Sequence, residues 1–347
     1  MKKWILIILL FAGLAIPARA EELTAPEAPH SVQDLMPPDT ESFGEGLLYV
    51  LKSAVQALHP EIAAGAGICL SVIGVMLLTS IFSSFPGKNQ AAAELVGTIC
   101  VACLLLSNAN TLVVASADTV SQLSEYGKLL LPVMATALAA QGGVSSSASL
   151  YIGTAMFDGL LCSLISGLLV PMIYIFLALA IGSSAIGEDL VKRLRDFVKW
   201  LVSWCLKTAM YVFTGYITIT GVVSGTTDQA ALKAAKLTIS GAVPVVGGIL
   251  SDASEAVLVS AGVVKNAVGV YGLVAIAAIA IGPFLKIAVQ YLLLKLTAAV
   301  CGVFGSKKCS DLVCDFSSAM GILLAMTGAV CLILMISLIC FMKGVGA

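Results

Sequence analysis

Charge is what this chain has least of. Only 11% of its 347 residues are charged, and 19 basic against 20 acidic side chains leave a net charge of −1. A soluble domain carries about 25% charged residues, so this sequence cannot cover a water-facing exterior. Near-neutrality also denies it the cationic surface that nucleic acid requires. Histidine is almost absent: His30 and His59 both lie in or beside the polar N-terminal segment, which excludes a histidine-based catalytic centre in the apolar body. There is no phosphate-binding glycine loop, no GxSxG elbow and no HExxH helix. Nothing points to catalysis, and no cofactor or metal site is expected.

Cysteine is plentiful but misplaced for disulfides. Cys69, Cys100, Cys103, Cys162, Cys205, Cys301, Cys331 and Cys340 all sit in apolar runs, where cysteine packs as a small polarisable hydrophobe. Cys100 and Cys103 form a CxxC in mid-span with no second pair, too little for zinc. Gly221 and Gly225 form a GxxxG, a weak packing signal among 32 glycines.

What fills the chain is hydrocarbon: 59% of residues are hydrophobic and mean hydropathy is +1.03. Lys2 and Lys3, an apolar Trp4–Ile16 and Ala18-Arg19-Ala20 read as a signal peptide over 1–20, cleaved before Glu21. Residues 21–61 form an acidic extracytoplasmic arm with Pro26, Pro29, Pro37 and Pro38, extended and partly disordered in composition. Spanning a bilayer takes about 20 apolar residues as a helix. Ile62–Phe82 and Leu95–Ala115 qualify and place the first two spans within 62–123. So do Trp200–Val223 and Ala319–Met342. Leu150–Ile186 and Ala267–Phe304 are too long for one crossing each, and Gly167 with Pro171, and Gly282 with Pro283, suggest hairpins. Two shorter stretches, Leu129–Ala140 around Pro132 and Gly241–Leu250 around Pro244, Gly247 and Gly248, suit short or re-entrant segments. The fold class is an all-α polytopic membrane protein with about 6–8 transmembrane helices.

The spacing of the prolines suggests an internal duplication. Pro132 to Pro244 is the same distance as Pro171 to Pro283, and the order of short proline segment, hairpin, linker and span occurs twice. The repeats would be 124–223 and 224–347. Repeats with broken helices are a transporter and channel plan, with the functional site between them.

Within the first repeat, 187–201 reads as an amphipathic linker. Leu190, Val191, Leu194, Phe197, Val198 and Leu201 make one helical stripe, and Trp200 and Trp204 follow at headgroup depth. A helix lying on the bilayer is the simpler reading, and a docking face for a cytoplasmic partner the sharper one. The basic cluster of Lys192, Arg193, Arg195 and Lys199 is cytoplasmic if Leu129–Ala140 crosses the membrane, and outside if it re-enters. Ionisable groups in spans are costly and often functional. Asp158, Lys207, Asp252, Glu255 and Lys286 are candidates for an intramembrane polar pathway. Against that, Lys207 and Lys295 can snorkel, and Asp252 and Glu255 can occupy a loop.

Three segments carry a resemblance. Val223–Lys236 (VSGTTDQAALKAAK), Pro244–Glu255 (PVVGGILSDASE) and Leu129–Gly143 (LLLPVMATALAAQGG) resemble the stage III sporulation protein AE family, over about residues 45–345. The resemblance implies a role in endospore formation. It implies other stage III sporulation A-operon proteins and stage II sporulation protein Q as partners, in a channel joining mother cell and forespore. The chain would be a non-enzymatic subunit in the mother-cell membrane surrounding the forespore. A stand-alone secondary transporter using the intramembrane charges, or a membrane scaffold, are the alternatives.

Overall fold

A computed structural model describes residues 24–37, 42–83, 90–242, 247–304 and 307–343, without side chains at 90–91, 221–242, 247–258 and 304. The signal-peptide stretch 1–20 and Pro244 lie outside the described residues. Among those described, every regular element is helical. A 3-10 turn over His30–Leu35 leads to α1 (Phe43–Ala57), α2 (His59–Ser83), α3 (Gln90–Ala140) and α4 (Val144–Leu164). A π-helical turn, Ile165–Leu169, joins α4 to α5 (Val170–Ile186). Then come α6 (Asp189–Ala242), α7 (Gly247–Phe304) and α8 (Lys307–Lys343).

Backbone groups in hydrocarbon must find partners within the segment, and these helices run on accordingly. α3, α6 and α7 have 51, 54 and 58 residues. At about 1.5 Å per residue that is roughly 75–90 Å, against a hydrocarbon core of about 30 Å. Five described stretches are long and apolar enough to cross: His59–Ser83, Ala92–Ala140, Val144–Ile186, Val259–Val303 and Lys307–Lys343. The expected hairpins at Pro171 and Pro283 are instead continuous helical stretches. Pro132 and Pro283 lie inside α3 and α7 without reversing the chain. Leu129–Ala140 is therefore the end of the helix that begins as the Leu95–Ala115 span, and is neither re-entrant nor a separate crossing. Pro171 offers no N–H to the carbonyl of Gly167. The π turn containing Gly167 absorbs that defect, and α5 continues from α4 rather than folding back on it. The Trp200–Val223 stretch lies in α6, and its end falls among the residues whose side chains are not described.

The chain reverses at glycines. Gly142 takes a left-handed φ of 92°. Its N–H bonds the Ala139 carbonyl at 2.9 Å while that of Gly143 reaches Leu138 at 3.0 Å, a Schellman termination. Gly187, φ 81°, ends α5 in the simpler left-handed cap, with its N–H on the Ser183 carbonyl at 3.0 Å. Only glycine takes this conformation without strain. The true helical hairpins are thus α3–α4 and α5–α6. α7 and α8 form a third packed pair, and α3, α7 and α8 share the centre of the bundle.

The acidic arm is not free where it is described. Ala28 and Val32 are buried. The Tyr126 hydroxyl donates to the Pro26 carbonyl, and the Ala28 N–H to the Tyr271 hydroxyl, each at 3.4 Å. Ser31 donates to the Gln122 side chain at 3.1 Å. The arm thus lies against α3 and α7, and α1 buries Gly46, Val50 and Ala54 on α7.

α4 meets α6 where Gly153 faces Tyr216. A Cβ at Gly153 would overlap the Tyr216 ring, which is held by a 2.9 Å bond from its hydroxyl to the Ser149 carbonyl. Gly153→Val is expected to destabilise the bundle by about 2 kcal/mol or more. Gly159→Ala, which meets open space, is expected to be neutral or slightly stabilising. Thermal unfolding in detergent measures both; equal midpoints for the two variants would mean that α4 and α6 do not meet there.

Candidate functional site

Among the described residues, Asp158 is the carboxylate that the helices enclose most completely. It projects from α4, is 3% exposed, and accepts a 2.7 Å bond on Oδ2 from the Ser124 hydroxyl of α3. Its Oδ1 has no hydrogen-bond partner among the described residues. Two further buried pairs tie the same helices to α8. Ser116 and Thr327 lie 2.9 Å apart, and the Thr154 hydroxyl donates to Ser337 at 2.8 Å. Asn110, a polar interruption of α3, accepts from the Tyr174 hydroxyl of α5 at 2.8 Å. Small hydroxyls between helices let backbones approach closely while staying paired. The result is a set of polar latches joining α3, α4, α5 and α8, with one open carboxylate oxygen among them.

The other charges do not join Asp158. Lys286 donates to Glu61 of α2 at 2.7 Å. One helical turn further, Gly65 makes room for Gln290: a Cβ on Gly65 would stand 2.7 Å from the Gln290 amide oxygen. Lys207 lies on α6 beside a cavity of about 340 Å³ that it shares with Lys199 and Lys295. Asp252 and Glu255 fall in the first turns of α7, outside the described side chains. Gly247 and Gly248 open that helix. Asp158, Lys207 and Lys286 therefore occupy three separate places: between α3 and α4, at the α6–α8 crevice, and at the α2–α7 contact.

One end of the bundle is basic, and the residues that build it were legible only in part. The stretch 187–201 is no separate surface helix but the loop and first turns of α6, unbroken into its apolar part. Leu190, Leu194 and Phe197 of its stripe point outward, while Val198 is buried and is followed inward by Val202 and Leu206. Arg195 turns inward as well and meets Asp315 of α8 at 2.6 Å. Lys199 donates to Ser318 at 3.0 Å. Nearby in the fold, Lys308 pairs with Glu94 at 3.8 Å, so the starts of α3, α6 and α8 gather at this end. Arg195–Asp315 escaped the sequence reading because its partners lie far apart in sequence and only Arg195 stood in a visible cluster. At the far end of α3, Lys265 of α7 is buried and bonds Gln141; one lysine in a long apolar run gives no hint of its partner.

The profile of the stage III sporulation protein AE family matches residues 37–345, and the chain belongs to that family. A curated relative, stage III sporulation protein AE of Bacillus subtilis strain 168, is 24% identical over 259 residues, covering 72% of this chain and 64% of the relative. The chain thus spans less than two thirds of that relative's length. No solved structure matches it.

The ion pairs differ in weight. Arg195 and Asp315 are only 15% and 14% exposed, so removing the arginine leaves an enclosed carboxylate, at a cost of about 3 kcal/mol. Lys286 and Glu61 are 35% and 41% exposed, where a pair contributes about 0–1 kcal/mol. Arg195→Met is expected to lower the unfolding midpoint clearly, Asp315→Leu in that background to restore most of it, and Lys286→Met to change little. Equal losses from Arg195→Met and Lys286→Met would contradict this ranking.

Proposed function

We propose that this protein is a non-enzymatic membrane subunit of the channel that joins mother cell and forespore during endospore formation. It would act with the other stage III A-operon proteins and stage II sporulation protein Q, in the mother-cell membrane around the forespore. The observation that carries the reading is the family match, which runs over residues 37–345 and so takes in the five apolar helices.

The arrangement of the helices supports a consistent topology. Take the start of α2 outside, as a cleaved signal would leave it, and let α2, α3 and α4–α5 each cross once. The basic start of α6 then falls on the cytoplasmic side, as the positive-inside rule requires. The contacts Lys308–Glu94 and Arg195–Asp315 keep the starts of α3 and α8 on that same side. The arm over 24–37, packed on Tyr126 and Tyr271, belongs to the opposite side, where an extracytoplasmic partner would meet it. The duplication belongs to this proposal too: Pro171 and Pro283 each lie in a long helical stretch followed by a helix packed against it, α6 and α8.

A second reading, a self-sufficient permease, draws on one observation: the unpartnered Oδ1 of Asp158 inside a spanning stretch. Intramembrane carboxylates of this kind mark ion and solute paths.

Two measurements test these readings. A functional fluorescent fusion, followed through sporulation, is expected to concentrate in the membrane engulfing the forespore; uniform labelling of vegetative cells would overturn the channel proposal. Asp158→Asn keeps an acceptor for Ser124 and is expected to assemble normally. A steep fall in heat-resistant spores with normal assembly would give the helix bundle a conducting role. An unchanged spore count would reduce it to a scaffold, and solute uptake by the purified protein alone in liposomes would favour the permease.

A further inference from the structure

Three lysines surround one cavity at the basic end, and none of them is in an ion pair with a described carboxylate. Lys199 donates to Ser318 at 3.0 Å and Lys295 approaches the Cys314 sulfur at 3.9 Å. Lys207 has no hydrogen-bonding partner among the described residues. Asp315 of α8, which also attracts Lys199, is already engaged by Arg195 at 2.6 Å. Like charges converging on one cavity repel unless an anion neutralises them.

The cavity does not end at the lysines. Its inner wall is apolar, with Val202, Leu206 and Ile322. Through Leu206, Lys207 and Ala325 it runs into a second hollow of about 440 Å³ between α6, α7 and α8, lined by Met210, Leu324, Gly328 and Leu332. A cationic mouth thus opens onto an almost wholly apolar groove. The depth is marked by Trp200, which follows Lys199 in the chain, and Trp204, stacked on it at 6.2 Å and likewise exposed. Such tryptophans sit at headgroup level.

We propose that the α6–α8 crevice is a binding site for an anionic phospholipid, with the headgroup phosphate held by Lys199, Lys207 and Lys295 and an acyl chain along the Met210–Gly328 groove. A free phosphate shares the headgroup chemistry but leaves the groove unused, and the groove favours the lipid. Basic pockets between membrane helices take anionic headgroups in this way. A lipid wedged here would bridge α6 to α8 at the point where Arg195 already joins them.

The test uses the full chain in dodecylmaltoside and follows the thermal unfolding midpoint. The probes are dioleoylphosphatidylglycerol, dioleoylphosphatidylcholine or inorganic phosphate, titrated separately. Phosphatidylglycerol is expected to raise the midpoint saturably, and the other two probes to leave it nearly unchanged. The variant carrying Lys199→Gln, Lys207→Gln and Lys295→Gln is expected to bind phosphatidylglycerol about a hundredfold more weakly, since each basic contact near an anionic headgroup contributes about fivefold. Lys52→Gln, Lys192→Gln and Lys343→Gln together remove the same charge elsewhere and are expected to keep wild-type affinity. Gly328→Leu, whose Cβ would meet the Phe284 ring at an ordinary 3.6 Å, fills the groove with every lysine in place; it is expected to weaken the lipid effect, and it decides the matter should the triple variant not fold. Equal stabilisation of wild type and the cavity variant overturns the site. A lysine-dependent response to inorganic phosphate matching that to the lipid, unaffected by Gly328→Leu, overturns the lipid assignment.

Discussion

Satisfying the backbone in hydrocarbon is the constraint on which this architecture depends. Each unpaired N–H or C=O in lipid costs several kcal/mol, so the chain stays helical past every defect it can absorb. Pro132 and Pro283 are carried inside α3 and α7, and Pro171 is carried by widening one turn into a π helix. The chain turns where the orphan carbonyls of a helix end can be capped. At Gly142 and Gly187 that is done by left-handed glycines. The pairings of the helices, α3 with α4 and α5 with α6, follow from those two positions.

Long helices in lipid gain little from hydrophobic association, because lipid tails are as apolar as leucine. Specificity then falls to the few polar contacts between them. In the middle of the bundle these are hydroxyl pairs such as Ser116–Thr327 and Thr154–Ser337, short side chains that permit close packing. At the basic end the contacts are ionic, and the enclosed Arg195–Asp315 pair there outweighs the half-exposed Glu61–Lys286 pair of the α2–α7 contact. Asp158 belongs to the hydroxyl set by position and to the ionic set by chemistry.

The two ends of the molecule are therefore chemically different. The starts of α6 and α8 gather basic side chains beside outward-facing tryptophans, with Glu94 of α3 paired to Lys308. The opposite region receives the acidic arm, pinned by tyrosines. An asymmetric bundle of this kind is suited to a fixed orientation in a membrane.

Composition alone determined that this is a helical membrane protein, because 11% charge cannot dress a water-soluble surface. Local patterns also placed the strongly apolar stretches and the stripe at the start of α6, and the order of small and polar residues around Pro132 and Pro244 carried the family likeness. The sequence misled where proline was read as a place to turn. A proline breaks a hydrogen bond locally, but whether the chain reverses depends on what packs against it, and the neighbouring helices hold α3 and α7 on course. Which charges meet was likewise beyond the sequence. Asp158 found a serine, Lys286 found Glu61 and Arg195 found Asp315 because tertiary packing brings together helices that sequence leaves far apart.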